Sequence, residues 1–356
     1  MMKKFYFSWI LFVFIGVAAQ EPAGYYNSAA GLEGTALQQA LHNIIDGHTA
    51  ISYSALWNAY PNTDKKPNGK VWDMYSDVPG GTPPYQFTFF SDQCGSYGGE
   101  GDCYNREHSF PRSWFGGAIA PMNTDLFQVY PTDGYVNGKR DNDPYGEVGT
   151  ASWTSQNGSK SGTCITPGYS GRVFEPIDAY KGDFARTYFY MATRYLGEDN
   201  NWPGSPMVNG SQPKSWALQL LHTWHLDDPV SEKEIARNNA VYAIQHNRNP
   251  YIDHPEFVEI VWFDPNGIDV PWFSTSDFSV YPNPTADILN INSTLEATQQ
   301  PLVYSLSDAT GRIVTTLPAD GQKLNSIRMA ELPHGFYLLH ITEQTSGRSV
   351  SFKIFH

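Results

Sequence analysis

A chain of 356 residues exceeds one typical domain, so two domains are expected. With 40% hydrophobic and only 17% charged residues, it can fill a sizeable core and is excluded from the disordered polyelectrolytes. The formal net charge of −13 excludes a simple basic clamp for nucleic acid: residues 20–275 alone hold 16 Lys and Arg against 29 Asp and Glu, so any surface that meets phosphate must be a local patch.

The N-terminus reads as a targeting segment. Lys3 and Lys4 precede an apolar run from Phe5 to Val17, and Val17-Ala18-Ala19 supplies the small residues of a cleavage site. This predicts a signal peptide over 1–19, too short for the roughly 20 apolar residues of a membrane span. No later stretch is long and apolar enough to span. Export permits disulfides. Cys94 and Cys103 flank a Gly-rich loop and are the favoured pair, which leaves Cys164 unpaired, although spacing leaves other pairings open. None of the three has zinc-site spacing.

The mature chain opens with an extended Gly-Tyr-Tyr segment. Thr35 is the expected N-cap of a helix in which Leu37, Leu41, Ile44 and Ile45 recur at helical spacing. Ile51 to Tyr60 reads as a second short helix. Residues 61–105, rich in Gly, Pro, Asp and Tyr, read as loops and short strands. A strong helix is expected from Asp178 to Leu196, with Phe184, Tyr188, Met191 and Tyr195 on one face. Trp216 to His225 is another. Ser231 and Glu234 have capping-box spacing for a third, which continues to Ile244. The texture changes near Ser276. Short alternating segments follow, at Ile288–Ile291, Leu302–Leu306, Arg312–Thr316, Phe336–Ile341 and Val350–Ile354, and they predict a small β-sandwich. The domain boundary is placed at 274–277.

The chemistry concentrates between Cys103 and Arg140. Glu107 offers a hard oxygen for Mg2+ or a similar cation, and His108 can take a proton from water near neutral pH. Adjacent residues on a regular strand point to opposite faces, so these two converge only at a strand end or in a loop. Asn137 offers an amide oxygen, and Lys139 and Arg140 put two cations beside it. A metal, a base and cations are the parts that phosphodiester hydrolysis needs. Spacing alone is weak: it favours the plainer reading, with Asn137-Gly138 as a turn and Glu107 as a surface charge.

Four ordered blocks carry a more specific signal. They contain Arg106-Glu-His-Ser-Phe-Pro111, Val136-Asn-Gly-Lys-Arg140, Asp183-Phe-Ala-Arg-Thr-Tyr-Phe-Tyr-Met191 and Asn247-Arg-Asn-Pro-Tyr-Ile-Asp-His-Pro-Glu256. Together they resemble the bacterial endonuclease I family of secreted and periplasmic nucleases. The resemblance implies an α+β fold: a helix-rich ββα-metal (His-Me finger) nuclease domain over 20–274, followed by the β-sandwich over 275–356. It implies His108 as general base, with Glu107 and Asn137 as ligands of one Mg2+ ion, Mn2+ or Ca2+ being alternatives. Arg112 and Arg140 are the candidates for a transition-state arginine; Arg106 receives no role. The implied reaction is endonucleolytic cleavage of DNA, and of RNA too, with little sequence preference and 5′-phosphate ends. Two positions depart from the family pattern: Gln128, where relatives commonly carry His, and His246, where they often carry Gly.

The C-terminal segment resembles the type IX secretion sorting domain, through Tyr281-Pro-Asn-Pro284, Gly311-Arg312, Leu332-Pro-His-Gly335 and Lys353. That implies the secretion machinery as a partner and a secreted or cell-surface location. A monomer is expected. Elsewhere the structural reading is favoured: Arg186 in an ion pair, Asp253-His-Pro-Glu256 as a loop, Asp125 as a backbone holder, and Asn247 to Asn249 as a turn no less than as site residues. Two other functions compete, a secreted glycoside hydrolase that uses the many Trp and Tyr residues for sugar stacking, and a catalytically degenerate surface binding protein.

Overall fold

A computed structural model describes residues 21–263, 278–293, 302–308, 310–318, 324–343 and 349–356. The expected signal peptide at 1–19 and the expected boundary at 274–277 lie outside the described residues. Buried apolar side chains form two large cores with no shared members, one drawn from Tyr26 to Phe263 and one from Phe278 to Ile354.

The first region is helical, with short sheets. Its helices are α1 (Gly34–Ile45), α2 (Leu56–Thr63), α3 (Gly134–Arg140), α4 (Lys181–Arg194), α5 (Ser215–Asp227), α6 (Glu232–Gln245), α7 (Pro250–Asp253) and α8 (Phe257–Trp262). Strands β1 (Tyr104–His108) and β2 (Val129–Asp133) pair antiparallel. Strands β3 (Val148–Thr154), β4 (Lys160–Cys164) and β5 (Arg172–Glu175) form a second sheet, and β6 (Val208–Asn209) pairs with β7 (Gln212–Pro213).

Helix α4 is the axis of this region. The aromatic spacing predicts a single apolar face, yet every residue of α4 is buried. Packing on all sides is possible because its polar groups are satisfied. Arg186 makes a fork to Glu234, Nε to Oε1 at 2.5 Å and Nη2 to Oε2 at 2.9 Å. The same Glu234 closes the expected capping box with Ser231 at the start of α6.

Three helix starts differ from expectation; α4 begins at Lys181, after a 3-10 turn over Asp178–Tyr180. The α1 N-cap is Glu33, and Thr35 lies inside the first turn. Apolar spacing sets which residues face the core but not where the coil ends. Helix α2 begins at Leu56, because residues 52–55 close a turn in which Ser52 accepts the Ala55 N–H through both its carbonyl and its hydroxyl. The expected disulfide is the one formed, Cys94–Cys103, with Cα atoms 5.8 Å apart; Cys164 is a buried free thiol.

The second region is a β-sandwich. Strands β8 (Phe278–Tyr281), β9 (Ile288–Ser293) and β12 (Leu324–Arg328) form one sheet in the order β12-β9-β8. Strands β10 (Leu302–Asp308), β11 (Ile313–Pro318), β13 (Phe336–Glu343) and β14 (Ser349–Phe355) form the other, in the order β11-β10-β13-β14. All five anticipated segments are strands. Strands β8 and β12 were not among them; the sequence of β12, Leu-Asn-Ser-Ile-Arg, buries only Ile327 and carries no alternation to read.

Candidate active site

The site is built on β1, β2 and α3. Glu107 pairs with Tyr130 and His108 with Val129, so β1 is regular up to its last residue. Asp133 then turns the chain into α3, its Oδ1 accepting the Val136 N–H at 2.8 Å. A Cβ at Gly134 would lie 2.4 Å from Cδ1 of Tyr97, so a larger residue at that corner would have to displace that ring.

Glu107 faces α3. Its Oε1 accepts from the Tyr75 hydroxyl and from Arg140 Nη1, both at 2.9 Å, and burial pushes its carboxyl above the usual range, against the lowering by Arg140 and Tyr75. Oε2 makes no hydrogen bond among the described residues. Asn137 approaches the same strand from α3, its Nδ2–H reaching the Arg106 carbonyl at 3.4 Å, which leaves Oδ1 as the open acceptor.

His108 is the last residue of β1, the strand end at which it can share a site with Glu107, and it lies beside Tyr53, with ring centroids 6.0 Å apart and planes at 24°. Its Nε2 is 3.0 Å from the Asn123 carbonyl. A carbonyl only accepts, so Nε2 carries the proton and Nδ1 keeps the lone pair of the neutral ring. Burial pushes the imidazole down to about 4, and the charges of Arg112 and Arg106 add to this, while the Asn123 contacts oppose it. The ring is therefore neutral at pH 7.

Arg140, expected as a candidate transition-state arginine, braces the site from within. It is 1% exposed, and its Nη1 and Nη2 donate to Glu107, to the His108 carbonyl at 2.9 Å and to the Ser109 carbonyl at 2.7 Å. Arg112 is exposed, with its guanidinium 5.9 Å from the Tyr53 ring centre. Half-buried Lys139 lies 4.9 Å from the Tyr135 ring centre.

Gln128 does not reach the site surface. Fully buried, it donates from Nε2 to the Met122 carbonyl at 2.5 Å, and so props the turn whose next residue holds His108. Asp125 anchors the same turn, accepting from the hydroxyls of Tyr190 and Tyr195 and from the Phe127 N–H. His246 sits at a left-handed C-cap with φ 63°, the backbone position that favours glycine. Asn247 to Asn249 form a buried turn: Asn247 bonds Tyr190, Arg248 bonds Asp253, and Asn249 caps α7. Asp253 is thereby structural, as expected.

Three contributors escaped the sequence reading: Tyr53, Tyr75 and Asn123. Asn123 acts through its backbone, so no residue type could mark it. One further group, His42, Asp46 and Glu198, has ligand atoms within 4.8 Å of one another. Arg194 Nη1 already pairs with Asp46 at 2.8 Å and Glu198 at 2.6 Å, so one of the cluster's two carboxylate charges is offset by an arginine.

Residues 33–256 match the Endonuclease I family, and residues 279–355 match the secretion system C-terminal sorting domain. An extracellular ribonuclease of Bacillus amyloliquefaciens is 38% identical over 247 residues, covering 67% of this chain and 78% of that protein. An extracellular ribonuclease of Bacillus subtilis (strain 168) is 36% identical over 250 residues, with the same coverage. A periplasmic deoxyribonuclease of Aeromonas hydrophila is 25% identical over 134 residues, 37% of this chain and 48% of that one. The chain belongs to the Endonuclease I family: it is a nuclease, sent to the cell surface or beyond by a type IX sorting domain.

Proposed function

We propose that the protein is a metal-dependent endonuclease that hydrolyses phosphodiester bonds of DNA and RNA with little sequence preference, leaving 5′-phosphate ends. The observation that carries this reading is the His108–Asn123 bond, which presents a neutral, buried imidazole with its lone pair on Nδ1. Nδ1 takes the proton of a water that attacks phosphorus in line with the 3′ oxygen. The Asn123 bond keeps the ring from turning and Tyr53 lies beside it, while exposed Arg112 is the candidate to meet charge developing on the phosphate.

The donor set fits a hard divalent cation. Glu107 is a buried carboxylate with one oxygen braced and the other open, and Asn137 adds a neutral oxygen from α3. These two residues would hold the ion, with Mg2+ the first candidate and Mn2+ or Ca2+ as alternatives. When bound, the cation supplies Lewis-acid stabilisation of charge on the phosphate oxygens and the departing oxygen. Arg140 fixes the carboxylate from behind, so its contribution is to geometry. Activity on RNA as well as DNA is supported by the ribonuclease and deoxyribonuclease names of the relatives. The domain limits 1–19, 20–274 and 275–356 belong to the same proposal.

The test is nicking of supercoiled plasmid, with RNA as a parallel substrate, in Mg2+ and in EDTA. The parent should cut both substrates only with the metal. His108→Ala should cut about 10²–10⁴-fold more slowly while melting at the parent temperature. A parent that binds metal and DNA yet never cuts would establish the degenerate binding protein instead. Equal rates in parent and His108→Ala would remove His108 from the mechanism.

A further inference from the structure

Eight arginines lie within the matched nuclease segment, residues 33–256. Arg140, Arg172, Arg186, Arg194, Arg237 and Arg248 each pair with a carboxylate. Arg106 and Arg112 have no carboxylate partner among the described residues, although the chain carries 36 acidic side chains. Both lie beside His108, since Tyr53 is close to all three. An acidic nuclease needs a local cationic patch, and these two unpaired arginines supply one at the base.

Arg112 is the candidate for contact with the reacting phosphate. We propose that Arg106 is a second substrate contact, a phosphate-binding arginine that seats the nucleic-acid strand along the His108 face of β1. Strand alternation puts residues 106 and 108 on one face. The guanidinium is held by aromatic rings, its Cζ 3.7 Å from the Tyr53 ring centre and 4.4 Å from that of Trp57. Rings attract the cation without using its N–H groups. Nη1 donates to the Tyr53 carbonyl at 3.0 Å, Nε is buried without a partner, and Nη2 makes no hydrogen bond among the described residues. A side chain fixed in this way loses little entropy on binding, and its donors match a phosphate's oxygens. Contacts to phosphate carry no base information, in keeping with low sequence preference. The bland alternative is that Arg106 only pins the 52–55 turn to β1.

This inference rests on the nuclease reading, and the experiment separates the two. Binding of the full chain to a fluorescein-labelled single-stranded DNA oligonucleotide is measured by anisotropy in EDTA, across a salt series. The parent's plasmid cleavage in Mg2+ is run beside it; loss of that control counts against the proposed reaction, whatever the salt slopes. Arg106→Gln should bind more weakly, and its slope of log affinity against log salt should shrink by about 0.7, the share of one single-strand phosphate contact. Arg106→Lys should keep the parent slope. A parent-like slope in Arg106→Gln, even with a lower melting temperature, assigns the residue to the turn and overturns the proposal. Should Arg106→Gln not fold, phenylglyoxal modification of the parent decides, read by mass spectrometry. Protection of Arg106 by the oligonucleotide supports the contact. Equal modification with and without DNA, or no modification in either state, overturns it.

Discussion

The two regions of this molecule are stabilised in different ways. The sorting domain is an aliphatic sandwich, with Leu289, Ile291, Leu306, Leu339 and Ile341 fully buried between two sheets. The nuclease region buries aromatic rings together with charge: Arg140, Arg186 and Arg248 are among its largest fully buried side chains. The sandwich rests on area removed from water, whereas the nuclease region adds ion pairs that hold particular atoms in place. Burying charge is a weak way to gain stability and a good way to fix geometry.

The largest expected effects test this contrast directly. Arg140→Ala would leave Glu107 as a buried carboxylate without its cation, at a cost of about 3–5 kcal/mol, and would free the His108 and Ser109 carbonyls it holds. Its first calorimetric signature should be a lowered nuclease transition, and plasmid nicking should fall with it. Leu339→Ala should cost about 2–5 kcal/mol in the sorting domain alone, with nicking at the parent rate. If each variant shifts both transitions equally, the two cores are not independent and the contrast fails.

The same difference decides what could be read from sequence. Strands β9, β10, β13 and β14 bury alternate residues, so a period of two located them; β12, with one buried residue, left no pattern. Helices α4 and α5 were legible because their apolar residues repeat at helical spacing. The capping box was legible because it is a local rule with two named side chains. Glu107, His108 and Asn137 stood out as residue types, but their surroundings did not. Tyr75 reaches Glu107 across 32 residues of sequence, and the Asn123 carbonyl has no sequence signature. The bracing of Glu107 by Arg140 was not legible, because spacing beside Asn137 says nothing about which way the last turn of α3 points. Functional geometry is set by contacts between elements, and a single sequence records only their ingredients.

A smaller effect should appear in the pH dependence of the nuclease transition. Asp73 accepts the backbone N–H groups of Tyr75 at 2.8 Å and Asp133 at 2.9 Å, joining the residue that holds Glu107 to the cap of α3. Burial, then repulsion from Asp133, pushes its carboxyl from 3.8 to about 7. The folded chain therefore holds this proton more tightly than the unfolded chain. The stabilisation is complete below the unfolded value and is lost as pH rises through about 7. Thermal melts between pH 5 and pH 8 should show the nuclease transition falling toward the alkaline side, and Asp73→Asn should flatten that slope. A parent transition that rises over this range would show that Asp73 is not the controlling group. The sandwich contains no comparable buried acid pair among its described residues, so its transition should move less.

The smallest effect concerns a position where the nuclease region departs from local rules. His246 ends α6 in the left-handed conformation, which costs a residue with a Cβ about 1 kcal/mol. Its compensation is one exposed contact, Nδ1 to the Thr49 hydroxyl at 3.1 Å. His246→Gly removes the strain and that contact together, and adds some entropy to the unfolded chain. The net gain should be below about 1 kcal/mol, a rise of at most roughly 2–4 °C in the nuclease transition. Because the turn that follows is held by Asn247 and Arg248, the site should not move, and the nicking rate should stay at the parent value. A lower melting temperature in His246→Gly would mean that the Thr49 contact outweighs the backbone strain, and that this region tolerates a broken local rule because a tertiary bond repairs it.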